Sequence, residues 1–300
     1  MLLSTVLTFT VLHKGEISYY TGRMGHAWLL RRIGVYDQSL AESLHEPNEE
    51  RPFTVSSLWP TEALKTKSSR PDTRAYHAEE YNADSRRADP NKRQVDVGDT
   101  FHMRITSYHP TLSEIFYHEV LNDSTTLAEP TTLGGVSLAC TGNTSDAREH
   151  PWAGQSTYEA LAEQLLSTSR PPKHLTMHFA SPTVFKSGEH FLPMPLPRLV
   201  MEGLVRKWNT VSPIEVPPDA NHYAEVGMAI AKYKLQTEAA FLGKNRILPG
   251  FVGTCRFALR LKDPYWLRLF HMLADFAFYA GMGKNTVMGL GQVRNVSHQR

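Results

Sequence analysis

Three hundred residues, 41% apolar and 21% charged, suffice for one large or two ordinary globular domains and exclude a disordered or fibrous chain. A formal net charge of +2 argues against a chain that works by bulk charge, although from Arg260 onward six bases face only two acids. The two cysteines, Cys140 and Cys255, stand alone, which excludes CxxC zinc sites and a disulfide framework and makes a reduced, cytoplasmic setting the expectation.

Met1–Leu12 is apolar, but it lacks a basic n-region and a small-residue cleavage site, so it reads as a strand rather than a leader. No other run approaches the roughly 18 apolar residues of a membrane span. From Gly25 to about Arg32 the apolar spacing is helical, and Asp37–Glu46 is a second helical stretch with Asp37 as N-cap. Gly34 lies between them. Arg51–Leu58 alternates like a strand. Residues 62–96 are crowded with bases and acids and nearly empty of aliphatics, which predicts a solvated insertion.

Thr100–Ser107 alternates as a strand, Pro110–Leu121 carries a helical apolar face, and Leu133–Cys140 is a further strand. A polar connector from Thr141 leads to a short helix, Ser156–Leu166, and Pro171-Pro172 marks a boundary. The same order then recurs. Leu175–Phe179 is a strand, Leu196–Trp208 a helix, and Val226–Leu235 and Phe251–Leu261 are strands. Trp266–Tyr279 is a helix and Met288–Val296 the last strand. The chain is therefore expected to be α+β, two tandem ferredoxin-like (RRM-like) βαββαβ domains. The first is assigned to residues 1–166 and the second to 171–300, with residues 141–170 as the connector.

Between the last helix and the last strand, Gly281, Gly283, Gly289 and Gly291 bracket Lys284. Phosphate-cradling glycine loops run strand, loop, helix, so that the anion sits on a helix N-terminus. Here a helix comes first, which removes the mononucleotide and dinucleotide readings. A cationic backbone surface along a longer phosphodiester chain remains, beside the plainer reading of a helix C-cap and turn.

These motifs, taken in order, resemble the CRISPR-associated repeat endoribonucleases, the "Cas six" family of the RAMP superfamily. The first half contributes Gly25-His-Ala-Trp-Leu-Leu30 and Leu40-Ala-Glu-Ser-Leu-His-Glu46, running to Arg51-Pro-Phe-Thr-Val-Ser56. The second contributes Phe179-Ala-Ser-Pro-Thr-Val-Phe-Lys186, Arg206-Lys-Trp-Asn209, Pro249-Gly-Phe-Val-Gly253 and the closing glycine loop.

The resemblance implies metal-independent cleavage of repeat RNA in precursor crRNA, with no cofactor and no metal. Attack by the ribose 2′-hydroxyl would leave a 2′,3′-cyclic phosphate and a 5′-hydroxyl. It implies catalytic roles for His26 and His45, with Arg51 as the supporting cation. RNA contacts would come from Gly281, Gly283, Lys284, Gly289, Gly291 and Lys186. Repeat RNA is the implied partner, and the family also admits subunits of a CRISPR effector complex and a homodimer. A non-catalytic crRNA-binding scaffold on the same fold is the alternative. Geometry sets one condition. A continuous helix would hold residues 26 and 45 about 28 Å apart, so the chain must turn between them, and Gly34 to Asp37 is the expected turn.

Overall fold

The computed structural model describes residues 1–46, 51–61, 92–121, 127, 129–167, 171–242 and 247–297. Most of the charged insertion therefore lies outside the described residues. Its last residues do not: Lys92–Val95 form strand β5, paired antiparallel with β2 (Gly15–Ser18).

In the first half, β1 (Leu2–Val11) is followed by two helices, α1 (Gly22–Tyr36) and α2 (Gln38–His45). Short strands β3 (Phe53–Val55) and β4 (Trp59–Pro60) come next, then β6 (Thr100–Ser107). Helix α3 (Pro110–Ile115) continues as a π-type turn to Val120 and leads into β7 (Thr131–Leu133), β8 (Val136–Thr144) and β9 (Gly154–Ser156). The sheet runs β3-β6-β1-β8-β7, with β4 also on β6 and β9 on β1. In the second half, β10 (His174–Thr183), β13 (Met228–Phe241), β14 (Ile247–Leu259) and β15 (Val293–Asn295) form a sheet in the order β13-β14-β10-β15. Each half thus sets its strands in the ferredoxin order, with the first strand between the third and the fourth. The tandem ferredoxin-like fold is the observed one.

Helix α4 (Tyr158–Ser167) joins the halves. The second carries α5 (Pro197–Val211), α6 (Asp219–Gly227) and α7 (Pro264–Ala280), with a small hairpin of β11 (Phe185–Ser187) and β12 (His190–Leu192) before α5. Asp263 caps α7 through the Tyr265 amide at 2.9 Å, and Pro264 occupies its first turn. Helix α7 is apolar on nearly every side because both halves pack on it. The Phe276 ring meets Tyr108 from the first half and Trp208 from α5, and Leu2, Tyr108 and Tyr158 share one continuous core with α5 and α7.

Several expectations shift. The strand expected over Leu133–Cys140 is two strands, because Gly134 and Gly135 both take positive φ and turn the chain into a hairpin. The strand expected to begin at Val226 begins at Met228, since α6 occupies the residues before it. The last strand is short: Thr286–Met288 is a 3₁₀ turn, and Gly289 and Gly291 take positive φ. Finally, α1 runs through Gly34 and breaks at Asp37 (φ −149°, ψ 106°), the last residue of the expected turn and three residues beyond its glycine.

Candidate active site and the glycine-rich loop

Helix α1 buries Gly22, Gly25, His26, Leu29 and Ile33, a stripe at helical spacing, so the sequence itself turns His26 inward. The imidazole is 7% exposed and stacks on Phe53 with ring centroids 5.8 Å apart. Its Nε2 is buried with no hydrogen-bond partner among the described residues. Burial, then the charges of Arg51 and His45, push its pKa down to about 4, so at neutral pH this ring is uncharged.

Asp37 breaks the chain and accepts a hydrogen bond from the Leu40 amide at 3.0 Å, which starts α2 in a new direction. His45 is the last residue of that helix and is exposed. Arg51 closes the helix end. Its Nε donates to the Leu44 carbonyl at 2.8 Å, and Nη2 to the carbonyls of His45 and Glu46 at 3.1 Å. A guanidinium at the negative end of a helix is favoured by both hydrogen bonding and the dipole. The structure thus brings His26, His45 and Arg51 into one electrostatic neighbourhood, and the condition that the chain turn between the histidines is met.

The glycine loop is different from the open surface expected. Gly281, Gly289 and Gly291 are buried and all four glycines hold positive φ. The loop's amides already have partners: Gly281 donates to Ala277, Met282 to Gly291, Lys284 to Val184, Gly289 to Val55, and Gly291 to Pro182. A Cβ at Gly291 would lie 2.0 Å from the Met282 carbonyl oxygen, and one at Gly289 2.6 Å from Ser57 Oγ. The glycines are needed because backbone from both halves closes on them. The loop also touches α1 directly, since a Cβ at Gly22 would lie 2.2 Å from the Met288 carbonyl oxygen. Lys284 is the exposed cation of the loop. Its amide bonds Val184, two residues before Lys186, which is exposed on β11 and pairs with Glu189 at 3.8 Å.

One surface was missed by sequence reasoning. On β10, Leu175, Met177 and Phe179 point into the core, so His174, Thr176 and His178 face out. Register aligns Thr176 with Arg256 and Lys232, and His178 with Thr254, Lys234 and Arg294. A groove of about 600 Å³ runs over this face. Arg294 lies in it, its guanidinium 5.0 Å over the Trp152 ring and its buried Nε without a partner among the described residues. The signal was present as alternation of apolar and cationic positions on predicted strands, but only register shows that they share a face.

Two ferredoxin-like units in tandem, with a histidine pair on the first unit's helices and a glycine loop seated between the units, define the class: a double ferredoxin-like protein. The family model for the CRISPR Cas6 N-terminal domain matches residues 1–163, and that for CRISPR-associated endoribonuclease Cas6 matches residues 177–293. The chain belongs to the Cas6 family. A Cas6 from Mycobacterium tuberculosis (strain H37Rv) is 28% identical over 151 residues, 47% of each chain, and one from Streptococcus thermophilus 25% over 134 residues, 44% of this chain and 54% of that one. The alignments span about half the length of these curated relatives. Among solved structures, a Cas6 product complex superposes with a TM-score of 0.75 at 22% identity, covering 99% of this chain and 100% of that one. A Thermus thermophilus Cas6 gives 0.67 at 21% identity over 99% and 98%. At these identities the superpositions speak for the fold. Among the described residues, no helix is long and apolar enough to cross a membrane.

Proposed function

We propose that this chain is an endoribonuclease that cuts the repeats of precursor crRNA without a metal ion. The observation that carries the reading is the convergence of His26 and His45 across the break at Asp37, in a chain of the Cas6 family. The scissile nucleotide's 2′-oxygen attacks the adjacent phosphorus, the P–O5′ bond breaks, and the products are a 2′,3′-cyclic phosphate and a 5′-hydroxyl. Two protons move in this step. His26, uncharged at neutral pH, is the base assigned to the 2′-hydroxyl proton. His45, exposed at the helix end, gives one to the leaving 5′-oxygen. Arg51 holds α2 in place and adds positive charge beside the phosphate.

In this reading RNA runs from the histidines past Lys284 and Lys186 and onto the open face of the second sheet, where Arg256, Arg294 and Lys232 meet its phosphates. Gly281, Gly283, Gly289 and Gly291 serve by shaping the loop beneath that path, and the amides of Gly281, Gly289 and Gly291 are already engaged. Repeat RNA is the partner required. Effector-complex subunits and a second copy of the chain are partners the family implies, and the cytoplasm is the compartment.

Purified protein given its repeat RNA in excess EDTA tests the proposal. One cut per repeat is expected, and a 2′-deoxy nucleotide at the cut should abolish cleavage but preserve binding. A strict Mg²⁺ requirement, or cutting of the 2′-deoxy RNA, would refute the mechanism. Binding of both RNAs with cleavage of neither would instead favour the scaffold alternative.

A further inference from the structure

Helix α7 ends where the glycine loop begins, and its last carbonyls, which an α-helix leaves without intrahelical donors, are all engaged. The Ala277 carbonyl accepts from the Gly281 amide at 2.9 Å. The next four are taken by side chains. Phe278 accepts from Arg104 Nη2 at 2.5 Å and Tyr279 from Thr106 Oγ1 at 2.6 Å, both on β6 of the first half. Ala280 and Gly281 accept from Lys207 Nζ at 2.6 and 3.2 Å, on α5 of the second half. Two basic side chains from opposite halves thus grip one helix end, where the dipole favours positive charge.

Neither base belongs to a surface. Arg104 is fully buried, its guanidinium 4.1 Å over the Phe278 ring and 4.9 Å over that of Trp152. Its other nitrogens donate to Ser4 Oγ, the Trp152 carbonyl and Gln292 Oε1. Lys207 is buried on the same helix stripe as Val200 and Leu204, 5.8 Å from the centre of the Tyr108 ring. Burying a basic group is costly unless specific acceptors await it, and here the acceptors are the helix end itself.

The helix end leads to the histidines by two short routes. Gly281 packs on Thr54, whose hydroxyl bonds Thr106 and Gln292, and the neighbouring Phe53 ring stacks on His26. Farther along the loop, Gly289 pairs with Val55 and lies against Gly22, one helical turn before His26. We propose that Arg104, Thr106 and Lys207 form a clamp on the α7 C-terminus that fixes the glycine loop, and through it β3 and α1, so that His26 is held in register with bound RNA. They are positioning residues and touch no reacting atom; the inference rests on the proposed cleavage reaction.

Lys207→Met, which keeps the stem and removes the donors, tests the clamp. Two readouts are taken: the single-turnover cleavage rate at saturating repeat RNA against affinity for 2′-deoxy RNA, and amide hydrogen exchange over residues 282–291 and 22–26. The rate should fall about 10- to 100-fold, the scale of a small misplacement of reacting groups. Affinity should move by less than about threefold, the sign of an interaction expressed in the transition state rather than in binding. Exchange should quicken in both segments. A folded Lys207→Met with wild-type rate, or with quickened exchange confined to α5 and α7, overturns the clamp. If that variant does not fold, Thr106→Val, which removes the bonds to the Tyr279 carbonyl and the Thr54 hydroxyl, is judged by the same criteria. If wild-type protein does not cut RNA, the proposed function fails on its own account. The exchange arm then decides the clamp, unchanged loop exchange refuting it.

Discussion

His26 makes the pH dependence of stability a direct test of the site's geometry. In the unfolded chain its imidazole titrates near the ordinary 6.5, and in the folded protein its pKa is held at about 4. A proton therefore binds the unfolded chain more tightly than the native one, and acid favours unfolding. The stabilisation is complete above pH 6.5, shrinks as pH falls below it, and is gone once pH passes the folded value near 4. At about 1.4 kcal/mol per tenfold difference in proton affinity, the full effect is about 3 kcal/mol. The assay is urea denaturation of wild type and His26→Gln, whose amide cannot titrate, at several pH values from 7.5 down to the lowest at which both fold. The other histidines contribute to both proteins and cancel in the difference. The wild type should lose stability relative to the variant by about 1.4 kcal/mol per pH unit between pH 6 and pH 4, and no further below that. Two parallel curves would mean that His26 titrates normally, and the buried site next to Arg51 and His45 would be wrong.

The glycine loop predicts a contrast. Gly291→Ala places a methyl 2.0 Å from the Met282 carbonyl oxygen at φ 67° and should cost more than about 1–3 kcal/mol in a melting experiment. Gly98→Ala has the same sign of φ but meets nothing within 4 Å, so it should cost the smaller, purely conformational part. Equal losses would show that the loop is not gripped from both sides. His45→Ala should slow cleavage by about 10²–10⁴ with RNA affinity retained, and a wild-type rate would move the chemistry elsewhere. Replacing Arg256 and Lys232 by Gln should weaken RNA binding and flatten the slope of log K against log salt by about 0.7 for each phosphate no longer neutralised. An unchanged slope would take RNA off that face.

What could be read from the sequence was what local chemistry decides. β1 and β6 read as strands, α7 reads as a helix from its apolar spacing, and Asp37 caps α2, because each needs only neighbours in the chain. The glycine loop was found but its setting was not. Glycines around a lysine suit an open anion cradle and a buried wedge equally well. What distinguishes the two is contact with Val55, Pro182 and Val184, up to about 230 residues away in sequence. Helix α6, with its small and polar residues, gave no apolar period strong enough to see. Lys207 could have been placed: it follows Val200 and Leu204 at the spacing of a buried stripe, while its neighbour Arg206 faces out. What it binds could not, since the helix end it completes lies 73 residues on.

The break between the histidines shows the same division within one short segment. Gly34 suggested a turn because glycine is a poor helix former, yet that preference is worth only about 1 kcal/mol, and packing around Ile33 outweighs it. Asp37 offers more. An N-cap residue must leave helical φ and ψ for its side chain to reach the amide ahead, so a cap for α2 is by itself a break at the end of α1. Reading Asp37 as a cap already fixed the turn, and Gly34 was redundant. The difference matters to the site: three further residues lengthen α1 by about 4.5 Å and rotate its exit by about 300°, which sets the side from which α2 returns. With the exit at Asp37, His45 comes back within electrostatic reach of His26, and Arg51 ties that arrangement down.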